Sequence, residues 1–320
     1  MTRRKPDFFI VGAPKSGTTA LDQYLGEHPD IFMARKEMHH FGKDLVFAPK
    51  FYRRDLEAYL AEFAGCGARQ RAGESSVWYL FSQQAAREIK DFNPEARIII
   101  MLRQPVDMMY SLYYNFLWDG NEQLGSFEEA LAAEEQRKAG KCLSRETYLA
   151  QGLRYREAVR YTDQVRRYFD AFGRERVRVI LFDEFTADPG SACRQTLQFL
   201  GVDPAAIKSD FGVVNSAKTV KSKALRRLLG EPSLRVAALK MRSVLPPAFA
   251  LLQRLESRLR ELNNRDEKAP PMAPELREKL RREFEPEIER LGQLLGRDLS
   301  GWLRAGPGRI KQPAPSTASS

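Results

Sequence analysis

The stretch FFIVGAPKSGTT at residues 8–19 joins an apolar run, a loop bounded by two glycines and the start of a helical pattern. Residues 8–11 are aromatic and β-branched and run together instead of alternating with polar residues, as in a parallel strand that is covered on both faces. Gly12 and Gly17 let the backbone turn tightly with its amides pointing inward, and a helix over 19–27 would add a positive dipole end. The stretch therefore predicts a strand, an anion-binding loop and a helix.

The lysine of this loop precedes the second glycine. In the loop of nucleotide-hydrolysing proteins, GxxxxGK[ST], the lysine follows that glycine. Here Thr18 stands in that place and the lysine is Lys15, so its ammonium group would approach a shorter anion from the other side of the loop. On these residues alone, a simple glycine turn after a strand remains an alternative.

The composition indicates a globular protein with an anionic partner. The chain has 320 residues, of which 43% are hydrophobic, enough for one large α/β domain or two ordinary ones. The net charge of +10 and the pI of 9.5 favour a nucleotide, an acidic glycan, nucleic acid or a membrane surface as the partner. Charge alone does not choose among these.

The sequence also bears on location. No apolar run approaches the roughly 18 residues that span a bilayer, and the basic N-terminus lacks a long apolar region before a cleavage site. The three cysteines, Cys66, Cys142 and Cys193, are far apart and in no paired spacing, which fits a reducing compartment and argues against disulfides or zinc. We therefore expect a cytoplasmic protein without a transmembrane segment.

Strand and helix patterns alternate along the first two thirds of the chain. Strands are predicted at 8–11, 31–33, 97–102 and 176–182, with a strand and loop within 72–80, and helices at 19–27, 51–63, 82–92, 105–118, 126–139, 155–172 and 188–200. Ser126 followed by Glu129 has the spacing of a capping box for one of these helices. Strands separated by such helices favour a mostly parallel sheet with ligands at the carboxyl ends of the strands.

The last third of the chain is predicted to be helical. Basic helices are expected from about residue 218, at 221–229, 233–244 and 246–262, followed by a hinge or surface loop at 263–274. The helix expected at 274–295 carries an apolar stripe that would pack on the core. We predict a single domain over 1–303 and a disordered tail over 304–320.

Two further residues lie where a phosphate could be held. Arg103 follows the strand at 97–102, and Ser111 lies eight residues later in the helix that Pro105 opens. An arginine that leaves a strand beside the loop can donate a forked, charge-assisted hydrogen bond to a phosphate, and a serine two turns into the next helix can add a hydroxyl. Without the loop upstream, a surface arginine and an ordinary helix serine would be an equal alternative.

Together these stretches resemble the sulfotransferases that use 3′-phosphoadenosine 5′-phosphosulfate (PAPS). GAPKSGTT resembles their 5′-phosphosulfate loop, and the pair of Arg103 and Ser111 resembles their 3′-phosphate motif. The segment KEMHHF at 36–41 is similar to the catalytic segment of glycan sulfotransferases of the heparan sulfate type. The resemblance covers residues 8–201. It implies a P-loop-like three-layer α/β fold with a central, mostly parallel sheet and a helical C-terminal part.

The resemblance also implies roles for residues. Lys15 would bind the 5′-phosphate and the bridging oxygen, Glu37 would be the general base, and His39 is the competing base. The other cofactor-binding residues would be Ser16, Gly17, Thr18 and Thr19 around the 5′-phosphate, Arg103 and Ser111 at the 3′-phosphate, and Lys221, which lies in a basic run with Asn215, Lys218 and Lys223 that matches the family only in type.

Two positions near these residues carry weaker expectations. The segment GESSVWYL at 73–80 departs from the family pattern, because the family usually has a lysine after the glutamate and this chain has Ser75. His40 is expected to have a structural role.

The resemblance implies transfer of the sulfuryl group of PAPS, without a metal, to a hydroxyl or amine of a glycan, lipid-linked or small-molecule acceptor. A P-loop small-molecule kinase is disfavoured by the displaced lysine, and magnesium dependence would distinguish it. A non-enzymatic basic module for an anionic membrane or nucleic acid has no base-reading or RNA-stacking motif in its support. Peripheral membrane contact, the acceptor and the oligomeric state stay open.

Overall fold

The fold is built on a five-stranded parallel sheet. A computed structural model describes residues 4–48, 55–143, 147–206, 211, 219–220, 264–265 and 269–304, with the backbone alone at 219–220 and 264–265. In the spatial order β2-β3-β1-β4-β5, the strands are β1 (Phe8–Gly12), β2 (Ile31–Met33), β3 (Arg71–Ser75), β4 (Arg97–Leu102) and β5 (Val177–Leu181). Phe8 pairs with Gly73 on one side and with Arg97 on the other. The stretch at 8–19 therefore begins with the middle strand of the sheet.

Helices connect the strands and cover both faces of the sheet. They are α1 (Thr18–Gly26), α2 (Leu56–Ala61), α3 (Ala85–Phe92), α4 (Pro105–Asp119), α5 (Phe127–Ala132), α6 (Glu134–Lys138), α7 (Tyr155–Ala158), α8 (Tyr161–Phe172), α9 (Phe182–Ala187), α10 (Pro189–Leu200) and α11 (Pro274–Leu295). Among the described residues, none of these helices is both long and apolar enough to cross a bilayer.

Alternate residues of the strands pack on opposite sides of the sheet. One apolar cluster holds Phe8, Ile10, Ile99, Met101 and Ile180 together with side chains of α1 and α10. The other holds Phe9, Val11, Ile98, Ile100 and Leu102 together with side chains of α3, α4, α8 and α11. The predicted three-layer α/β fold with a parallel sheet is thereby confirmed.

Two predicted helices are interrupted. The helix expected at 155–172 is α7 and α8, because the buried Glu287 carboxylate of α11 accepts a 2.7 Å hydrogen bond from the amide of Thr162 and so caps a new helix start there. The helix expected at 126–139 is α5 and α6, which meet at Ala133, where ψ is −7°. The predicted capping box of Ser126 and Glu129 is present at the start of α5.

The C-terminal helix α11 has the predicted bounds and packs on the core. Its buried apolar side chains are Leu280, Phe284, Ile288 and Leu291, while Leu276 and Leu295 at its two ends are partly buried. Arg277 of α11 forms an ion pair with Asp107 of α4 at 2.7 Å. The buried Trp302, seven residues after the last residue of α11, donates its ring N–H to the Asp183 carboxylate at 2.9 Å.

Some predicted segments lie outside the described residues. These are the basic helices at 221–229, 233–244 and 246–262, nearly all of the predicted tail, and the first part of the helix expected at 51–63. A two-residue antiparallel pair, β6 (Thr219–Val220) with β7 (Asn264–Arg265), was not predicted from the sequence. This pair joins the start of the region predicted to be helical to the segment expected as a hinge.

Candidate active site

The loop between β1 and α1 is shaped as a cradle for an anion. Gly17 has a φ of 88°, and a Cβ atom there would lie 3.2 Å from the Phe182 ring and 3.3 Å from the Met101 side chain. Gly12 has a φ of 148°, and a Cβ atom there would lie 2.6 Å from the carbonyl oxygen of Val77. Both positions therefore require glycine. Because α1 has no acidic residue in its first turn, the positive end of its dipole favours an anion in the loop.

The hydroxyl side chains of the loop differ in their surroundings. Ser16 is fully buried, and its hydroxyl donates a hydrogen bond to the carbonyl oxygen of Pro14 at 3.3 Å. Thr18 is buried at the first position of α1, whereas Thr19 is exposed. The Ser16 hydroxyl thus helps to hold the shape of the loop, and the Thr19 hydroxyl is open to solvent.

Lys15 is held at the loop by a residue of α4. Its backbone is left-handed, with a φ of 58°, and its Nζ donates to Oδ1 of Asn115 at 2.8 Å. The amide nitrogen of Asn115 donates in turn to Asp119 at 3.0 Å. Burial and the neighbouring Arg103 lower the pKa of Lys15, and the charge of Asp119 opposes this change. The ammonium group therefore has a fixed position in a mainly cationic corner.

Arg103 meets Lys15 at the carboxyl end of β4. Its Nη1 donates to the carbonyl oxygen of Lys15 at 3.2 Å, and its guanidinium lies 4.7 Å from the centroid of the Phe182 ring. Burial lowers the pKa of Arg103, and the carboxylates of Asp107 and Asp183 counteract this effect. The guanidinium of Arg103 thus contacts the backbone of Lys15, the other residue predicted to bind a phosphate of PAPS.

Ser111 lies on the loop-facing side of α4. It precedes Asn115 by four residues, so the two side chains share one face of the helix. Because Asn115 contacts Lys15, Ser111 is directed toward the same corner one turn closer to Arg103. Ser111 is partly exposed, so its hydroxyl is accessible to a ligand.

Glu37 links the loop after β2 to the loop after β3. Its backbone N–H donates to the carbonyl oxygen of Ser75 at 2.8 Å, and its Oε2 accepts a hydrogen bond from the amide of Val77 at 3.2 Å. The carboxylate is recessed, but 35% of the side chain is open to solvent. Burial raises the pKa of Glu37, while the positive charge of Lys36 and the Val77 amide act to lower it.

Two histidines follow Glu37 in the same segment, and the first of them lies next to its carboxylate. His39 is 3% exposed, its ring stacks on Phe47 with the centroids 4.1 Å apart, and its Nε2 is 3.6 Å from Oε2 of Glu37. His40 stacks on Tyr59, also at 4.1 Å. Of the two candidate bases, Glu37 is therefore the more accessible.

One residue connects the candidate base to the phosphate loop. The amide of Val77 donates to Glu37, and its carbonyl oxygen lies against Gly12, where β1 passes into the loop. The carboxylate is therefore separated from the start of the loop by the backbone of a single residue. The structure brings Lys15, Arg103 and Glu37 to the same edge of the sheet.

A second carboxyl group, Glu74, is buried beneath the site. It accepts hydrogen bonds from the Tyr59 hydroxyl at 2.6 Å and from the Ser76 hydroxyl at 2.7 Å. Burial raises its pKa to about 7, and hydrogen bonds from Tyr59, Ser76 and Tyr79 oppose the rise. The Ser76 hydroxyl also accepts the amide of His39 at 3.2 Å, so Glu74 supports the segment that carries the candidate base.

Sequence reasoning missed some residues of the site and predicted one that the structure does not describe. Lys221, with Lys218 and Lys223, lies outside the described residues. Asn115 was not predicted, although its spacing of four residues from Ser111 placed it on the same helix face. Lys36, whose Nζ donates to the Ser75 hydroxyl at 3.0 Å, was not predicted either.

Comparisons with known proteins show which family the chain belongs to. A family model described as the sulfotransferase family matches residues 6–205. The solved structure of a sulfotransferase from Alicyclobacillus acidocaldarius superposes with a TM-score of 0.70 at 34% identity, covering 94% of this chain and 100% of that one. The membrane-associated sulfotransferase kil1 of Dictyostelium discoideum is 30% identical over 112 residues, which are 34% of this chain and 22% of kil1. Heparan sulfate glucosamine 3-O-sulfotransferase 6 of Mus musculus is 32% identical over 115 residues, 35% of this chain and 30% of that protein.

Fold and site define an α/β transferase with an anion-binding loop after its central strand. The chain belongs to the sulfotransferase family, because the family model covers more than half of it and the Alicyclobacillus structure matches it nearly end to end. The chain spans less than a third of the length of the two curated relatives named here.

Proposed function

We propose that the protein transfers the sulfuryl group of PAPS to a hydroxyl or amine group of an acceptor, in the cytoplasm. The observation that supports this most is the contact between Lys15 and Arg103 beside a glycine-lined loop, with Glu37 joined to that loop through Val77. A Cβ atom would fill the cradle at Gly12 or Gly17, which fits a loop that receives a phosphate through its backbone amides.

The donor side of the site would be formed by the loop and α4. Lys15 and the amides of Gly17, Thr18 and Thr19 would hold the 5′-phosphate, and Arg103 with Ser111 would hold the 3′-phosphate. When bound, PAPS supplies an activated sulfuryl group together with a phosphate leaving group. The Lys15 ammonium, fixed by Asn115, would stabilise negative charge at the bridging oxygen without any rearrangement of its own.

The acceptor side would be formed by Glu37. Its Oε2 is used by the Val77 amide, whereas its Oε1 accepts no hydrogen bond from the described residues and is only 4.0 Å from the Lys36 ammonium. Oε1 is therefore the oxygen that would take the proton from an acceptor hydroxyl. His39 would support the orientation of Glu37 from behind.

The proposed acceptor class rests on a named relative and on the charge of the chain. One relative is named as a heparan sulfate glucosamine 3-O-sulfotransferase, and a chain with a net charge of +10 suits an acidic glycan. We therefore propose a glycan hydroxyl as the first acceptor to test, with amines, lipid-linked acceptors and phenols as comparisons.

The test is sulfuryl transfer from radiolabelled PAPS by wild-type protein and by Lys15→Ala, with Lys43→Ala, an exposed lysine of the loop after β2, as the matched control. We expect Lys15→Ala to lose about 100-fold or more in kcat, as for the loss of a charge-stabilising donor, and Lys43→Ala to retain wild-type turnover. Turnover of Lys15→Ala within a few-fold of wild type would contradict the role of Lys15. Transfer of phosphate from a nucleoside triphosphate with magnesium, and none from PAPS, would replace the proposal with a kinase.

A further inference from the structure

Lys36 connects three elements of the fold beside the candidate base. Its Nζ donates to the Ser75 hydroxyl at the end of β3 at 3.0 Å and lies 4.0 Å from Oε1 of Glu37. From α1, Asp22 faces the same ammonium group, and the Lys36 charge and the Ser75 hydroxyl both act to lower the pKa of Asp22, which burial raises. Lys36 thus interacts electrostatically with two carboxylates, Asp22 on α1 and Glu37 in the segment after β2.

The Lys36 ammonium attracts Glu37 by its charge but forms its hydrogen bond with Ser75. At 4.0 Å the ammonium attracts Glu37 without donating a hydrogen bond to it, because Ser75 holds the ammonium on β3. The Oε1 atom of Glu37 therefore stays available to an acceptor. Asp22 depends on the same cation, since its Oδ2 is buried and has no hydrogen-bond partner among the described residues.

We propose that Lys36 is a positioning residue that keeps Glu37 ionised in the free enzyme, and that Asp22, a like charge on α1, opposes it. This inference rests on the proposed function, in which Glu37 is the base. The two residues act with opposite sign because Lys36 favours the carboxylate form of Glu37 and Asp22, a like charge, disfavours it.

Other charged and titratable groups also face Glu37. They are His39 on its own segment, Glu74 on β3 and Tyr148 in the segment that follows α6. Glu74 is a carboxyl like Asp22, so its ionisation also disfavours the Glu37 carboxylate, and His39 is buried by its stack on Phe47. Lys36 is the lysine that faces Glu37 among the described residues, which makes it the direct target for substitution.

The experiment is the pH dependence of kcat/KM, which reports groups of the free enzyme, measured for wild type, Lys36→Met, Lys36→Arg and Asp22→Asn. The acid limb is the part of the pH profile in which kcat/KM falls as the pH decreases. Because Lys36→Met removes an opposite charge at this distance from a partly exposed carboxylate, it should move the acid limb to higher pH by about one unit. Lys36→Arg should restore it, and Asp22→Asn should move it downward. Lys43→Met, which removes an exposed lysine of the same loop, should leave it unchanged.

A purely structural role for Lys36 would lower activity at every pH without displacing the limb. An unmoved limb in an active Lys36→Met protein, or an upward shift in Asp22→Asn, would overturn the inference. If Lys36→Met is inactive at every pH, the limb of Asp22→Asn decides: a shift to lower pH supports the inference, and an unmoved limb overturns it. Failure of the proposed function has a different signature, namely a Glu37→Gln variant that keeps the wild-type rate.

Discussion

Glu74 should make the protein less stable as the pH rises toward and through 7. The side chain is fully buried, and burial raises its pKa from the ordinary 4.5 to about 7. A carboxyl whose pKa is raised by folding binds its proton more tightly in the folded state, so its stabilisation is complete below pH 4.5 and is lost as the pH rises through about 7. At about 1.4 kcal/mol for each tenfold change in proton affinity, the loss amounts to about 3 kcal/mol.

Glu74→Gln is the substitution that isolates this effect, because glutamine has nearly the same size and stays neutral. The free energy of unfolding in urea should be measured for both proteins at pH 5 and pH 8, with Glu289→Gln, an exposed glutamate of α11, as the control. Relative to wild type, Glu74→Gln should gain about 2 to 3 kcal/mol between pH 5 and pH 8. An equal difference between the two proteins at both pH values would refute the reasoning and leave Glu74 ionised throughout.

Three other substitutions test the site. Arg103→Ala should erase the preference for binding adenosine 3′,5′-bisphosphate over adenosine monophosphate, as measured by calorimetry. The reason is that a charge-assisted hydrogen bond contributes about 1.5 to 3 kcal/mol, or about tenfold or more in affinity. An unchanged preference would remove Arg103 from the 3′-phosphate site. His39→Ala should lower the melting temperature because it removes the stack on Phe47. Neither this variant nor wild type should show a break in the pH–rate profile near pH 6.5. A break in wild type that vanishes in His39→Ala would make His39 the base. Asn115→Ala should reduce kcat about fivefold to tenfold, the usual effect of one hydrogen bond, and leave the affinity for adenosine 3′,5′-bisphosphate nearly unchanged. A parallel loss of that affinity would instead place Asn115 among the residues that bind the donor.

The sheet could be predicted because its signals are local. Residues 8–11 and 98–102 are continuous apolar runs, and each lies in a buried strand at the position expected. The bounds of α11 follow from Pro274 at its start and Gly296 after its end. In each case the residues that decide the element lie within it or next to it.

The parts that could not be predicted depend on partners far along the chain. The break before α8 is set by Glu287, which is 125 residues from Thr162. The bond that fixes Lys15 comes from Asn115, 100 residues away. The choice between Glu37 and His39 depended on burial, which the ring of Phe47 imposes on His39 and which the spacing of the two residues does not reveal.

The backbone of Val77 lies as a spacer between Glu37, the proposed base, and the start of the proposed donor loop. Its N–H and its carbonyl group are joined through one Cα atom, so the part of the separation that Val77 contributes is set by its backbone. A new acceptor preference could then arise through side chains that border the open oxygen of Glu37, while Val77 keeps the proposed base beside the proposed donor loop. A side chain at Gly12 would push this spacer away and disturb donor and acceptor geometry in a single step.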